Sequence, residues 1–213
     1  MKPKERITLK IILVGSVSVG KSSLLKRYMT NTFHQGSLKP TIGVDFATKV
    51  IESEDLIINL QMFDTAGQEK YHYQLGNQFY RNADGAILVY DISKPPKDSV
   101  EGLNRWLDEV ITKTADDDPG DKLPIVVAGN KADLKNSEEN NNDIINFCKE
   151  HDFGHIETSA KDSYLSVEAA LLAVTSLALT QYRKKIKAPT NPKSINLNEM
   201  YKKKDKKGCM DCS

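Results

Sequence analysis

Cysteine is scarce in this chain of 213 residues: there are three, with Cys148 in mid-chain and Cys209 and Cys212 among the last five residues. One internal thiol cannot build a disulfide framework, and the single Cys-x-x-Cys pair has no His pair at zinc spacing. So few thiols fit a reducing compartment such as the cytosol. Long apolar runs are missing too. The opening stretch MKPKERITLK has no apolar signal core, and no run is expected to reach the length that crosses a bilayer. Position 2 is Lys where N-myristoylation requires Gly, which excludes that modification.

Net charge is nearly absent as well, at +1, but this is a cancellation. Residues 183–213 hold ten Lys/Arg against three acids, or +7, which leaves 20 bases against 26 acids in residues 1–182, or −6. An acidic body argues against nucleic-acid binding and leaves an anionic target to the tail alone. With 39% hydrophobic and 28% charged residues, the body is long enough to bury its own core.

Short β-branched runs alternate with amphipathic stretches. Residues 7–14, 56–64, 86–91, 125–130 and 156–158 read as largely apolar strands buried on both faces. Residues 44–51 carry charges among the apolar positions and read as an edge strand. Helices are expected over 21–29, 73–80, 99–113, 138–150 and 166–182. In the last of these, Val167, Leu171, Val174 and Ala178 repeat at three-to-four spacing. This alternation predicts an α/β fold, a six-stranded, mostly parallel sheet with helices on both faces. After Tyr182 the pattern dissolves into Lys, Asn and Pro, so the expected division is a domain over 1–182 and a flexible tail over 183–213.

Gly15-Ser-Val-Ser-Val-Gly20-Lys21-Ser22 fits G-x-x-x-x-G-K-S/T between an apolar strand and a helix, the context of a P-loop NTPase. Backbone N–H groups over Ser18, Val19, Gly20, Lys21, Ser22 and Ser23 can wrap a β-phosphate, helped by the positive end of the helix. Lys21 can neutralise β/γ oxygens, and the Ser22 hydroxyl can bind Mg²⁺. Three further motifs follow in order. Asp64-Thr-Ala-Gly67-Gln68 ends a strand, where Asp64 can hold a Mg²⁺-bound water and the Gly67 N–H can meet a γ-phosphate. In Asn130-Lys131-Ala-Asp133, the Asp133 carboxylate can accept from both the N1–H and the exocyclic amine of guanine. Adenine lacks that donor pair and would leave a buried carboxylate unpaired. Ser159-Ala160-Lys161 follows the last strand, where a backbone N–H can meet the guanine carbonyl. All four sit at carboxyl ends of strands, where α/β sheets bind ligands.

With these motifs the chain resembles a Ras-superfamily small GTPase, and within it the Rab family. The Rab likeness lies in Ile42-Gly-Val-Asp-Phe46, in 59–69 leading through Asp64, in Phe79-Tyr-Arg-Asn-Ala-Asp-Gly85 and in Leu88-Val-Tyr-Asp-Ile-Ser93. The run Asp118-Pro-Gly-Asp-Lys-Leu-Pro124 is similar to a loop of the late-endosomal Rabs. The resemblance implies a GTP/GDP switch that regulates vesicle traffic by recruiting effectors while GTP-bound. It implies that Thr41 in the first switch joins Ser22 and Asp64 around Mg²⁺ and touches the γ-phosphate. It further implies that Gln68 orients the attacking water, and that Phe33 packs beside the base. Asn130, Lys131, Asp133, Ser159, Ala160 and Lys161 would form the guanine site. No Arg stands where a built-in finger is expected, so hydrolysis should be slow, with an activating protein adding roughly 10³–10⁵-fold. An exchange factor, a dissociation inhibitor or escort protein and effectors are the other implied partners of what should be a monomer.

Some positions depart from the family pattern. Val17 replaces the usual small or polar residue, pointing toward slow hydrolysis unless an activator re-forms the site around it. Thr41 falls one residue later after Phe33 than the pattern expects. Phe63 replaces a Trp, and Phe46, Phe63 and Phe79 read either as an aromatic partner-reading patch or as core. The ending Cys209-Met-Asp-Cys212-Ser misses C-a-a-X but resembles a Rab double-geranylgeranyl site, with the basic run 202–207 upstream and Ile195-Asn196-Leu197 similar to an escort-binding element. Two lipids, or one with a basic patch, are what stable anchoring requires, which implies the cytoplasmic face of an endomembrane in exchange with cytosol. Two other readings stay open: a GTP-bound interaction module with negligible catalysis, and a Ras- or Rho-like signalling GTPase.

Overall fold

The computed structural model describes residues 3–33, 44–52, 55–65, 79–114, 122–135 and 142–187. In chain order these form β1 (Glu5–Val14), α1 (Lys21–Thr30), β2 (Val44–Glu52), β3 (Leu56–Thr65), β4 (Gly85–Asp91), α2 (Pro96–Thr114), β5 (Ile125–Asn130), α3 (Asn142–His151), β6 (Gly154–Glu157) and α4 (Tyr164–Lys187). The strands make one six-stranded sheet in the order β2-β3-β1-β4-β5-β6. Every neighbouring pair is parallel except β2 with β3. The expected mixed, mostly parallel α/β sheet is the one found.

Alternation along the central strands explains their near-continuous apolar runs. In β1, Ile11 and Leu13 face one core, whereas Ile12 and Val14 face the other. The first core takes Leu24, Leu25 and Tyr28 from α1 and Val167, Leu171 and Val174 from α4. The second takes Leu103, Trp106 and Leu107 from α2 and Ile144 and Phe147 from α3. Helices therefore cover both faces, and the carboxyl ends of β1, β3, β4 and β5 are left to meet the motifs.

Several boundaries differ from expectation. Helix α2 begins at Pro96, three residues earlier than the apolar pattern suggests, because proline suits a first helical turn and Asp98 meets its positive end. β6 stops at Glu157; Thr158 then donates its N–H to Gly129 O over 2.8 Å while the chain turns away. Helix α4 begins at Tyr164, with the Ser163 hydroxyl accepting from Ser166 N–H at 3.1 Å. It runs on to Lys187, past Tyr182, where the sequence pattern dissolves. By length and a mean hydropathy of 1.3, Tyr164–Ile186 is also apolar enough to cross a bilayer, contrary to the sequence reading. Its Val167, Ala170, Leu171, Val174 and Ala178 are spent on the core instead. The expected helix at 73–80 lies outside the described residues except for Phe79 and Tyr80, which form a turn, and the start of the one at 138–150 lies outside them too.

The chain divides after Tyr182, residues 1–182 forming one compact unit, and residues 188–213, with Cys209 and Cys212, lie outside the described residues.

Candidate nucleotide-binding site

The loop after β1 is shaped by its glycines. Gly15 (φ +151°) runs so close to β4 that a Cβ there would lie 2.2 Å from Val89 O. Gly20 (φ +96°) caps α1, and a Cβ on it would lie 2.3 Å from the Asn130 amide nitrogen. Ser18 between them also takes a left-handed conformation, φ 62°. From behind, Trp106 Nε1 donates to Ser16 Oγ at 3.3 Å, tying the loop to α2. The loop's backbone N–H groups thereby gather at the positive end of α1, a ready site for phosphate oxygens.

Lys21, the first residue of α1, is buried and folds back over the loop, donating to Gly15 O at 2.6 Å and Ser16 O at 3.0 Å. Burial pulls its pKa down to about 8, against the opposing pull of the Asp64 carboxylate. Beside it, Ser22 Oγ donates to Asp64 Oδ2, and Asp64 is completely buried at the end of β3. A hydroxyl and a buried carboxylate in contact form an oxygen donor pair suited to a small hard dication. Among the described residues no group of three or more His, Cys, Asp or Glu could cage a metal, so any ion here needs ligands from elsewhere. Thr41, Gly67 and Gln68 lie outside the described residues. Val17, 43% exposed, stands on the outer side of the loop.

The base motifs are held to this loop by Asn130. Its amide nitrogen donates to Val19 O at 2.8 Å, while its carbonyl oxygen accepts from Ala160 N–H at 3.3 Å and Thr158 Oγ1 at 3.4 Å. One buried side chain thus spans three of the four motifs. Lys131, in a left-handed conformation, sends its ammonium 2.7 Å from Asp91 Oδ2 at the end of β4. Burial would raise the Asp91 pKa, but Lys131 and two Ser93 donors outweigh it and hold the carboxyl below its ordinary value. Asp133 accepts from Ser159 Oγ at 2.6 Å, and Lys161 Nζ stands 3.8 Å from its other oxygen. Its side chain is only 7% exposed, so a ligand lacking matching donors would leave this carboxylate poorly served.

Arg27, which donates to Ala160 O and Lys161 O, Asp91 and Trp106 hold the motif residues in place, and sequence reasoning missed all three. None lies in a phosphate or base motif; each acts from behind, and only Asp91, at a strand's carboxyl end, carried a positional hint. Phe46, Phe63 and Phe79 do meet, with ring centroids 5.1 Å and 6.0 Å apart in sequence order. Phe79 is core, as one of the two sequence readings has it, whereas Phe46 is 52% exposed.

The Ras family profile matches residues 10–179, which includes every one of these motifs. The chain is 39% identical over 180 residues to the Ras-related protein Rab7 of Drosophila melanogaster, covering 84% of each. It is 38% identical over 184 residues to the Ypt/Rab-type GTPase avaA of Emericella nidulans, covering 85% of this chain and 87% of that one. With the Ras-related protein RABG3b of Arabidopsis thaliana it shares 38% identity over 190 residues, covering 86% and 89%.

Proposed function

We propose a working cycle for this chain, which belongs to the Ras family and, within it, to the Rab GTPases. It is a small GTPase that binds GTP and GDP, hydrolyses GTP and regulates vesicle traffic. In the proposed cycle the GTP form holds its two switch segments through Thr41 and Gly67, and loss of the γ-phosphate releases them. Full reversal of such a switch from 1:99 to 99:1 takes about 5.5 kcal/mol of differential binding. Effectors read the GTP form, an exchange factor and an activating protein set the timing, and a dissociation inhibitor or escort protein carries the lipidated chain through cytosol.

The observation carrying this reading is the Asn130 bridge, which ties the loop after β1 to the segment whose Ser159 donates to the buried Asp133 carboxylate. Lys21 and the loop N–H groups neutralise developing charge on the transferred phosphoryl group, and Gln68 orients the attacking water. Ser22, Asp64 and Thr41 would hold Mg²⁺, whose charge would offset that of the β/γ oxygens. Nothing in these residues supplies a cationic finger, which suits slow turnover that waits for an activator.

At the membrane, lipids on Cys209 and Cys212 with the basic run 202–207 anchor the chain on the cytoplasmic face of an endosomal membrane. Denaturing the purified chain should release GDP or GTP, and added GTP should turn over slowly; recovered adenine nucleotide would end the proposal. Mass spectrometry of the C-terminal peptide from native membranes tests the anchor, and unmodified Cys209 and Cys212 would refute it.

A further inference from the structure

We infer that Arg27 is a positioning residue for guanine recognition, gripping from behind the loop whose side chains brace Asp133. This rests on the reading of Asp133 as the base-selecting carboxylate. Arg27 lies in the last turn of α1 and is half-buried. Its Nε donates to Ala160 O at 2.7 Å and its Nη2 donates to Lys161 O. Its Nη1 donates to Asn31 O at 2.9 Å, and Asn31 in turn closes the helix by donating its N–H to Arg27 O at 2.8 Å. The guanidinium is planar, so one fork sets the directions as well as the distances of the two adjacent carbonyls it holds, a geometry that the rotating ammonium of a lysine does not impose.

What these carbonyls carry is the brace on Asp133. Ser159, just before the gripped peptides, donates its hydroxyl to Asp133 at 2.6 Å. Lys161, one of the gripped residues, brings its ammonium to 3.8 Å from the other carboxylate oxygen. Between them Ala160 is buried, and its N–H donates to Asn130. The Ser159 end is pinned independently: its N–H donates to Ser166 Oγ and its carbonyl accepts from Ser163 N–H. Arg27 holds the side of the loop that those bonds leave to it. Its loss lets residues 160 and 161 shift and, with them, the angle and distance at which Asp133 presents its oxygens.

A merely structural role would weaken every nucleotide alike, so the test compares two that differ at the base alone. GDP and IDP share phosphates, ribose and the N1–H, but IDP lacks the exocyclic amine that Asp133 would accept from. The dissociation constants of both should be measured on the full chain, with melting temperature recorded for each variant. Arg27→Ala is expected to shrink the GDP-over-IDP preference by about tenfold, because a misplaced carboxylate forfeits most of what the amine contributes. Arg27→Lys keeps the charge and the helix propensity but not the fork, and should shrink the preference in the same direction. If Arg27→Ala does not fold, the Lys variant decides alone. Equal weakening of GDP and IDP, with the ratio unchanged, would overturn the inference. A parent chain with no preference for GDP over IDP would instead remove the reading of Asp133, and this inference with it.

Discussion

The side-chain amide of Asn130 donates to the main-chain carbonyl of Val19 across 2.8 Å, joining the end of β5 to the loop that wraps the phosphates. Under the proposed reading, the parts that would meet the two ends of a nucleotide are thus tied to each other by a hydrogen bond. Replacing Asn130 with Ala leaves the buried Val19 carbonyl and Ala160 N–H short of their partner. The expected loss is about 2 kcal/mol of folding stability, with faster release of GDP. Thermal unfolding and the off-rate of a fluorescent GDP measure the two effects; a variant with parental values for both would show the bridge to be incidental.

Lys21 makes binding depend on pH in a defined direction. Burial holds its pKa at about 8. Bound phosphates supply opposite charge and raise it, so the chain takes up a proton on binding wherever Lys21 is otherwise neutral. Affinity should be flat below pH 8 and weaken as pH rises above it. Calorimetry in two buffers of different ionisation enthalpy should find proton uptake rising from a small fraction at about pH 7.2, where a terminal phosphate is largely ionised, toward one proton at about pH 9.

Asp91 anchors Lys131, and its removal should cost nucleotide affinity. Asp91→Ala is expected to weaken GDP binding by about tenfold while the fold survives, because the partly exposed Lys131 ammonium can turn to water. The Asp91 carboxyl titrates below its ordinary value, so its contribution to stability is present above that value and is lost as pH falls through the lowered one. Acid unfolding of Asp91→Asn should begin from a lower stability and lose less of it on the way down.

Val17 stands exposed on the loop after β1, and under the proposed cycle a branched side chain there would stand in the way of an attacking water and of an activator's finger. Single-turnover hydrolysis should be faster in Val17→Ser than in the parent. Equal rates would show that the side chain is accommodated.

The fold was legible because its signals are local. Apolar runs in β1, β4 and β5 follow from strands buried on both faces, and Gly15 and Gly20 occupy positive-φ positions that the loop pattern itself demands. The helix ends were less legible. Pro96 and Ser163 act as N-terminal signals outside the apolar periodicity, and α4 continues to Lys187, past Tyr182, the last of its residues to pack against the core. At the site, the motifs named the residues expected to face a nucleotide but not those that hold them. Arg27 reaches residues more than 130 positions away, and Trp106 holds Ser16 across 90. Such contacts exist only once the sheet has brought α1, α2 and the last loop together. The same limit applied to Asn130: its motif points to the base, and the bonds its amide makes to Val19, Thr158 and Ala160 are long-range ones that the motif does not spell out.

The central claim, a site that selects guanine through Asp133, is tested most directly by competing GDP against XDP on the parent and on Asp133→Asn. Xanthine carries an oxygen where guanine carries its exocyclic amine, so a carboxylate should reject it and an amide should accept it. The parent should prefer GDP by at least about a hundredfold and Asp133→Asn should reverse the order. A parent that binds both alike, or a variant that keeps the parent's preference, would contradict the account.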